Sequence, residues 1–380
     1  MSRQSRFNET DVCFACVRIF RSATTQLRST YDGCIMEITE KVTKTDHEQV
    51  LIARDAGTGY HGIIAIHSTA LGPAVGGTRF WNYATEEEAL TDALRLSRGM
   101  TYKNALPELP LGGGKSIIIG DNKAPQREAL LRVHGRFVET LKGRYITAED
   151  VGTSPADMEI VRQETQHVAG LLDRSGDPSP FTARGVFRAI QASSKFLRGT
   201  DELAGLTVAI QGLGHVGYNL AKLLHDAGAK LVVTDVDERR IARAVETLGA
   251  QSVAVEGIFS VPADVFAPCA LGGILNDETI PRLKVRIVAG AANNQLLEER
   301  HGAMLVERNI LYAPDYVANA GGILNGCIEL LGWDAEHASR KVDEIYDTTL
   351  RIFATAQAEN LAPARAADLL AESRLHHAHD

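Results

Sequence analysis

A two-domain α/β fold is expected for this chain, and three observations set that expectation. The chain has 380 residues, enough for two separate cores. Its first half places two lysines among glycines: Arg98-Gly-Met100-Thr-Tyr-Lys103, then Gly112-Gly-Gly-Lys115-Ser, then the apolar run Ile117-Ile-Ile. Its second half holds an apolar strand, Leu206-Thr-Val-Ala-Ile-Gln211, that runs into Gly212-Leu-Gly214-His215-Val216-Gly217. A helix follows, then the strand Lys230-Leu-Val-Val-Thr, then Asp235 and Val236. Strand, glycines, helix, strand and acid in this register form the dinucleotide fingerprint. The fold class is therefore α/β with two domains, an N-terminal mixed α/β domain and a Rossmann-type doubly wound NAD-binding domain, separated by a deep cleft.

Composition narrows the class. Charged residues make up 23% and hydrophobic ones 44%, with a net charge of −8, ordinary for a globular protein and unsuited to an extended nucleic-acid surface. No run approaches the ~18 apolar residues of a membrane span. The five cysteines are scattered. Cys13-x-x-Cys16 has no second pair nearby, so no metal site is expected and a reduced, cytoplasmic protein is. Residues 1–35 lack both a sustained period and the apolar core of a secretory signal. They read as a disordered extension, with Met36 opening the folded chain.

From there Glu48–Ala53 and Gly62–His67 read as two strands joined by a turn at Asp55–Gly59. Leu71 to Trp81 reads as a loop whose Gly76–Gly77 pair, beside Val75, could line a small-molecule cleft. Thr85-Glu-Glu-Glu88 has capping-box spacing ahead of a helix that delivers Met100 and Lys103. Gly112–Gly114 read as a loop with Lys115 on its edge. A lysine there can lose water and have its pKa lowered, which makes it a usable general base; the plain alternative is a surface lysine. A phosphate-binding P-loop is rejected, because the position five residues before Gly114 is Leu109 rather than glycine. Residues 125–142 read as a helix. Asp150 stands where the strand from Arg144 exits, the place for an acid/base group or a helix-capping carboxylate. Asp173–Pro180 is turn-rich and reads as a hinge, and Thr182 opens the helix 183–197.

In the second half the pyrophosphate would rest on N–H groups at the helix N-terminus, and Asp235 would accept from ribose hydroxyls and repel a 2′-phosphate, favouring NAD over NADP. Strands at 264–270, with Ala267, Cys269 and Ala270, and at 285–289 lead into the small-residue loops 271–274 and 290–294, the second carrying Asn293 and Asn294, and a third segment leads to Asn319. Loops at strand C-termini are where such sheets bind ligands, although each asparagine could equally be a turn residue.

The chain resembles the glutamate/leucine/phenylalanine/valine dehydrogenase family, with its greatest likeness to the leucine branch and its phenylalanine and tryptophan relatives. The resemblance runs from about Met36 to about 375. It rests on Gly72–Arg79, Glu86–Gly120, Ile146–Ser154, Ser175–Thr182, the Gly212 loop, Ala267–Ile274, Ala289–Leu296 and Pro314–Gly322. It implies NAD-linked, reversible deamination of an L-amino acid to a 2-oxo acid and ammonia. Lys103 would hold the substrate carboxylate, Lys115 would be the general base, and Asp150 would shuttle protons. Gly76 and Gly77, with Val75, Met100, Gly326 and Asn294, would line the substrate. Thr182, Gly212, Gly214, His215, Val216, Gly217, Asp235, Val236, Ala267, Cys269, Ala270, Asn293 and Asn319 would hold the cofactor. The resemblance further implies a homo-oligomer built through the first domain (36–175), an NAD-binding domain at 176–334, and helices from about 335 to 380 packing back across the first.

Glutamate-specific members carry a lysine where this chain has Val75, so a charged substrate tail would meet an apolar wall at a cost of several kcal/mol. An apolar substrate of the leucine, valine or isoleucine type is expected. Gly326 stands where leucine enzymes are bulkier, which keeps an aromatic substrate open. A glutamate dehydrogenase and a silent NAD-binding sensor are weaker alternatives. A 2-hydroxy-acid dehydrogenase relying on a histidine relay is disfavoured, because no histidine falls in the glycine–lysine stretch.

Overall fold

In a computed structural model the described residues are 15–20, 44–171 and 176–378. Met36, Cys13, Cys34 and residues 173–175 of the expected hinge lie outside them. The chain divides into two compact units, one from Met1–Thr101 with Pro110–Leu172, the other from Tyr102–Leu109 with Asp173–Asp380.

The first unit is a six-stranded mixed sheet in the order β1-β2-β3-β5-β4-β6. Its strands are β1 (Ala15–Phe20), β2 (Gln49–Asp55), β3 (Tyr60–Ser68), β4 (Ala74–Trp81), β5 (Gly112–Ile119) and β6 (Tyr145–Glu149). The β2–β3 turn is the expected one: Asp55 accepts from the Thr58 N–H at 3.0 Å, and Gly59 takes φ +76°. β1 corrects the expectation that all of residues 1–35 are disordered. Ala15–Phe20 pairs antiparallel with β2, from Ala15 opposite Arg54 to Phe20 opposite Gln49, and so covers an edge that would otherwise present unpaired N–H and C=O groups.

Side-chain alternation buries both faces of this sheet. On one face Val50, Ile52, Ile63, Ala65 and Ile117 pack against Ala89, Leu90, Ala93 and Leu94 of the helix Glu86–Ala105. On the other, Leu51, Ile64, Ile66, Phe80 and Ile118 meet Leu131, Phe137 and Val138 of the helix Arg127–Glu139, and Met158 and Val161 of Pro155–Arg162. Each Val, Leu, Ile, Phe or Met among them contributes about 1.5–3 kcal/mol, so the sheet docks its helices by their apolar faces. The Thr85 hydroxyl accepts from the Glu88 N–H at 3.1 Å and starts the first helix as the spacing predicts.

Two further expectations are corrected here. Gly76–Gly77 and Gly112–Gly114 belong to strands β4 and β5, not to loops. Their Cβ directions are filled by neighbouring backbone, or at Gly114 by the Tyr145 ring, so the glycines serve close packing rather than turning. A Cβ on Gly76 would stand 1.8 Å from the Gly114 carbonyl oxygen, and one on Gly113 would stand 2.0 Å from the Thr101 nitrogen.

The second unit holds a six-stranded parallel sheet in the order β12-β11-β10-β7-β8-β9. Its strands are β7 (Thr207–Gln211), β8 (Lys230–Thr234), β9 (Gln251–Ser252), β10 (Val265–Pro268), β11 (Ile287–Val288) and β12 (Leu311–Tyr312). With β7 as its first strand this is the 3-2-1-4-5-6 order of a doubly wound dinucleotide fold. The C-terminal helices, expected across the first domain, cluster with this second unit. Arg184 forks onto the Asp343 carboxylate at 2.9 and 2.5 Å, and Phe196 meets Phe353 at a centroid distance of 5.2 Å. Arg374 binds the Ala105 carbonyl and the Glu108 carboxylate, each at 2.5 Å. Leu106 and Pro107 line one small cavity with Val317, Ala320 and Ile345, and residues 102–109 belong to the same unit. Among the described residues, no helix is long and apolar enough to cross a membrane.

The first unit also buries histidines that the sequence does not flag. His47 is tied to Ser97 Oγ at 2.8 Å, and His134 lies between Tyr60 Oη at 2.8 Å and Thr78 Oγ1 at 3.0 Å. Burial holds His47 down to about 4 and His134 down to about 3, below the usual 6.5. The unfolded chain binds these protons as pH falls below about 6.5, while the folded chain resists. Stability is therefore complete above that pH and is lost on the way down to about 4 for His47, by an amount on the order of 3 kcal/mol. The urea midpoint should fall over this window, and His47→Gln should flatten the fall. An unchanged slope in that variant would show that the ring titrates normally.

Candidate active site

Alternation along β5 sends Gly113, Lys115 and Ile117 to the face covered by the helix Glu86–Ala105. Because Gly113 has no side chain, the backbone of that helix at Thr101 can close on the strand. The lysine next along the strand is thereby left in a dry slot, with its side chain 6% exposed.

Lys115 Nζ lies 2.7 Å from Asp150 Oδ2, at the exit of β6. The same oxygen accepts from Arg79 Nε at 2.9 Å, while Arg79 also donates from Nη1 to Asp92 Oδ2 at 2.7 Å. Tyr83 Oη donates to that Asp92 oxygen at 2.5 Å. Burial is the largest influence on Lys115 and lowers its pKa; the Asp150 charge opposes it and Arg79 reinforces it. Burial pushes Asp150 up, but the Lys115 and Arg79 cations outweigh it and hold the carboxyl below its usual range. The arrangement couples a strained cation to a carboxylate held ionised, and a proton can pass between them.

Asp150 does not cap the following helix. Ser154 does, with a reciprocal capping box to Asp157. Arg79, Tyr83 and Asp92 are site residues that sequence reasoning missed. Their one visible signal was an arginine two positions after the Gly-Gly pair, followed by an acid on the packed side of the next helix.

The other candidates are placed as follows. Met100 and Lys103 occupy the last turns of the helix Glu86–Ala105 and are half-buried. Val75 is 2% exposed in β4, opposite Gly113 and Ile146. Gly326 is half-buried in the helix Gly321–Leu330, where a Cβ would meet only the Ile323 and Leu330 side-chain tips, at 3.9 and 4.0 Å.

In the second unit the three glycines of the fingerprint divide their work. Gly212 turns the chain at φ +93°. Gly214 caps the helix His215–Asp226, with nothing within 4 Å of a Cβ position. Gly217 brings the helix so close to the strand that a Cβ would stand 2.0 Å from the Gly212 oxygen. Asp235 accepts from the Leu213 N–H at 2.6 Å and the Asp237 N–H at 2.8 Å, which fixes the carboxylate beside the glycine loop. His215 and Val236 are exposed, Val216 half-buried and Ala267 buried. Cys269 donates its N–H to Gln211 at 2.7 Å, and Ala270 packs on Gly212.

Asn319 donates to the Ala291 carbonyl at 3.0 Å and to Asn293 Oδ1 at 2.8 Å. Asn319 Oδ1 is buried without a hydrogen-bond partner among the described residues. Asn294, next to Asn293, takes φ +52°. Thr182 lies beside the same segment, its Oγ1 3.1 Å from where a Gly322 Cβ would be. An open helix N-terminus, a fixed carboxylate and an orphaned amide acceptor at the C-terminal ends of parallel strands together fit a nicotinamide dinucleotide.

Among the described residues, Asp277, Glu298 and His301 could gather a cation. The Arg300 guanidinium already neutralises both carboxylates there, at 2.5 and 2.9 Å.

Comparison with known proteins agrees with this geometry. The profile described as Glu/Leu/Phe/Val dehydrogenase, dimerisation domain, matches residues 44–167. The profile described as Glutamate/Leucine/Phenylalanine/Valine dehydrogenase matches residues 175–240 and 234–380. The chain is 53% identical over 343 residues to a leucine dehydrogenase of Geobacillus stearothermophilus, covering 90% of this chain and 94% of that one. It is 48% identical over 339 residues to a phenylalanine dehydrogenase of Caldalkalibacillus thermarum, covering 87% and 92%. The crystal structure of L-tryptophan dehydrogenase from Nostoc punctiforme superposes with a TM-score of 0.81 at 45% identity, covering 90% of this chain and 99% of that one.

Proposed function

The chain belongs to the Glu/Leu/Phe/Val dehydrogenase family, and on that premise we propose that it catalyses the NAD-dependent, reversible oxidative deamination of an apolar L-amino acid to the 2-oxo acid and ammonia. It is an amino-acid dehydrogenase using a nicotinamide cofactor. The observation that carries the mechanism is the buried Lys115–Asp150 pair at 2.7 Å.

When bound, the nicotinamide supplies the acceptor for the α-hydride of the amino acid. The chain's own residues handle binding and protons. The Lys103 ammonium holds the substrate carboxylate. Asp150 takes a proton from the substrate ammonium, and its Oδ1, which has no hydrogen bond among the described residues, is the oxygen placed to do so. Lys115 Nζ, in its neutral form, removes a proton from the water that adds to the imine carbon, and then steadies the carbinolamine oxygen. Asp150 returns its proton to the nitrogen; the C–N bond then breaks with its electron pair leaving on ammonia, while the carbinolamine hydroxyl releases its proton to solvent and its oxygen becomes the 2-oxo carbonyl. Asn319 Oδ1 and Thr182 would hold the carboxamide, Asn293 supports Asn319, and Gly214 leaves room for the pyrophosphate. The negative charge fixed at Asp235 favours NAD over a cofactor with a 2′-phosphate.

Val75 supports an apolar substrate, because a charged tail beside this buried wall would lack its partner. Leucine, valine and isoleucine are the first choice. An aromatic substrate is the second reading, favoured by the unfilled space at Gly326. The same proposal includes a cytoplasmic homo-oligomer, supported by the match to a dimerisation domain.

With a panel of L-amino acids and NAD, the purified chain should form NADH fastest with an apolar substrate and poorly with glutamate. Lys115→Ala should still bind NAD but lose turnover by about 10²–10⁴-fold; near-normal turnover would remove Lys115 from the mechanism. Val75→Lys should raise glutamate turnover, and no rise at all would refute the apolar wall. Because the lowered Lys115 pKa governs the neutral form, deamination should accelerate as pH rises through it and reach its plateau at mildly alkaline pH.

A further inference from the structure

We propose that Arg79 and Asp92 are positioning residues for the proton-transfer pair: Arg79 pins one oxygen of Asp150 so that the other faces the substrate, and Asp92 pins Arg79. The inference rests on the reaction proposed above. Five side chains from five separate segments form one chain of contacts. Lys115 on β5 meets Asp150 after β6, Asp150 meets Arg79 on β4, Arg79 meets Asp92 on the helix Glu86–Ala105, and Asp92 meets Tyr83 in the loop between β4 and that helix. The charges alternate along it, plus, minus, plus, minus, with the neutral phenol last.

The geometry exceeds what a stabilising ion pair needs. Lys115 and Arg79 both land on Oδ2 of Asp150, at 2.7 and 2.9 Å, and Oδ1 has no partner among the described residues. A carboxylate recruited only for stability gains most by spreading its donors over both oxygens. Here the guanidinium fork is spent differently, with Nε on Asp150 and Nη1 on Asp92. The fork thereby fixes the rotation of Asp150 about its own axis, which an ammonium could not do.

The groups facing Lys115 can be named element by element. Asp150 comes from the β6 exit, with Glu149 and Tyr145 on β6 behind it. Arg79 comes from β4, and Asp92 from the helix, with Arg95 on its other oxygen at 3.6 Å. His67 on β3 is turned to Thr101, at 2.9 Å. Arg79 and Asp92 act on Lys115 in opposite senses, the arginine lowering its proton affinity and the aspartate raising it.

That opposition gives the test. In Arg79→Gln the alkaline limb of kcat for deamination should move to higher pH, by roughly one unit. In Asp92→Asn it should move to lower pH. Arg79→Lys restores the charge but not the fork, so its limb should stay near that of the wild type while kcat drops roughly tenfold to a hundredfold and KM for the amino acid changes little. The ¹⁵Nζ resonance of Lys115 in the cofactor-free protein should titrate with the same two displacements. Thermal unfolding and NAD binding report whether each variant folds, and if Arg79→Gln fails there, Asp92→Asn and Arg79→Lys carry the test. Unmoved limbs, or shifts of the same sign in the glutamine and asparagine variants, overturn the inference while leaving an active wild-type dehydrogenase in place. A wild-type chain that oxidises no amino acid overturns the reaction itself.

Discussion

A cation inside a sheet is expensive, and much of the first unit is arranged around that cost. Moving an ammonium out of water costs several kcal/mol even after relaxation, and Lys115 has Asp150 at 2.7 Å as its main offset, with the charge of Asp92 adding less. Removing the carboxylate would leave an uncompensated buried charge, so the two stand or fall together. The aspartate in turn is only a good counter-ion while it stays ionised, and Arg79 secures that. The burial that strains the lysine is also what turns it into a base. Stability and chemistry thus draw on the same desolvation, in opposite directions.

Glycine is the means by which the slot is built. Between the β4–β5 pairs Val75–Gly113 and Thr78–Ser116, Gly76 meets the carbonyl of Gly114, and Gly77 would place a Cβ 2.3 Å from the Glu149 oxygen. Even an alanine at either position would push a neighbouring backbone aside. The strands therefore approach more closely than side chains permit, and Lys115, Asp150 and Arg79 are drawn within hydrogen-bond reach.

What could be seen in the sequence follows from the range of the forces involved. The Gly212–Asp235 segment was legible because each glycine's reason lies within the motif: a turn at Gly212, an open approach at Gly214, contact with Gly212 itself at Gly217. The glycines at 76–77 and 112–114 look alike in sequence, yet their reason lies on another strand or helix. They read as loops, and the error is natural, since loops are the local explanation for glycine. The Ile-rich runs and the Thr85 cap were legible from period and spacing. The Arg79–Asp92 link was not, because nothing in a one-dimensional pattern tells which face of a helix meets which strand end. The β1 pairing escaped for a related cause: the six residues of the strand have no alternating pattern that names a partner, and β2 is far along the chain.

Both units leave polar capacity unused at the places where ligands are proposed. In the second unit Asn319 buries an amide oxygen without a partner among the described residues, although its nitrogen is fully occupied by Ala291 and Asn293. In the first, Asp150 concentrates two donors on one oxygen and leaves the other without a partner among the described residues. A fold selected for stability alone would satisfy the Asn319 oxygen, since an unpaired buried acceptor costs about 1–3 kcal/mol, and would spread the donors over both oxygens of Asp150. In each case the occupied half of the group is held by neighbours that fix its orientation, and the unoccupied half is what the orientation presents. Rigid on one side and unsatisfied on the other, such groups bind with little reorganisation, because the ordering cost was met when the chain folded.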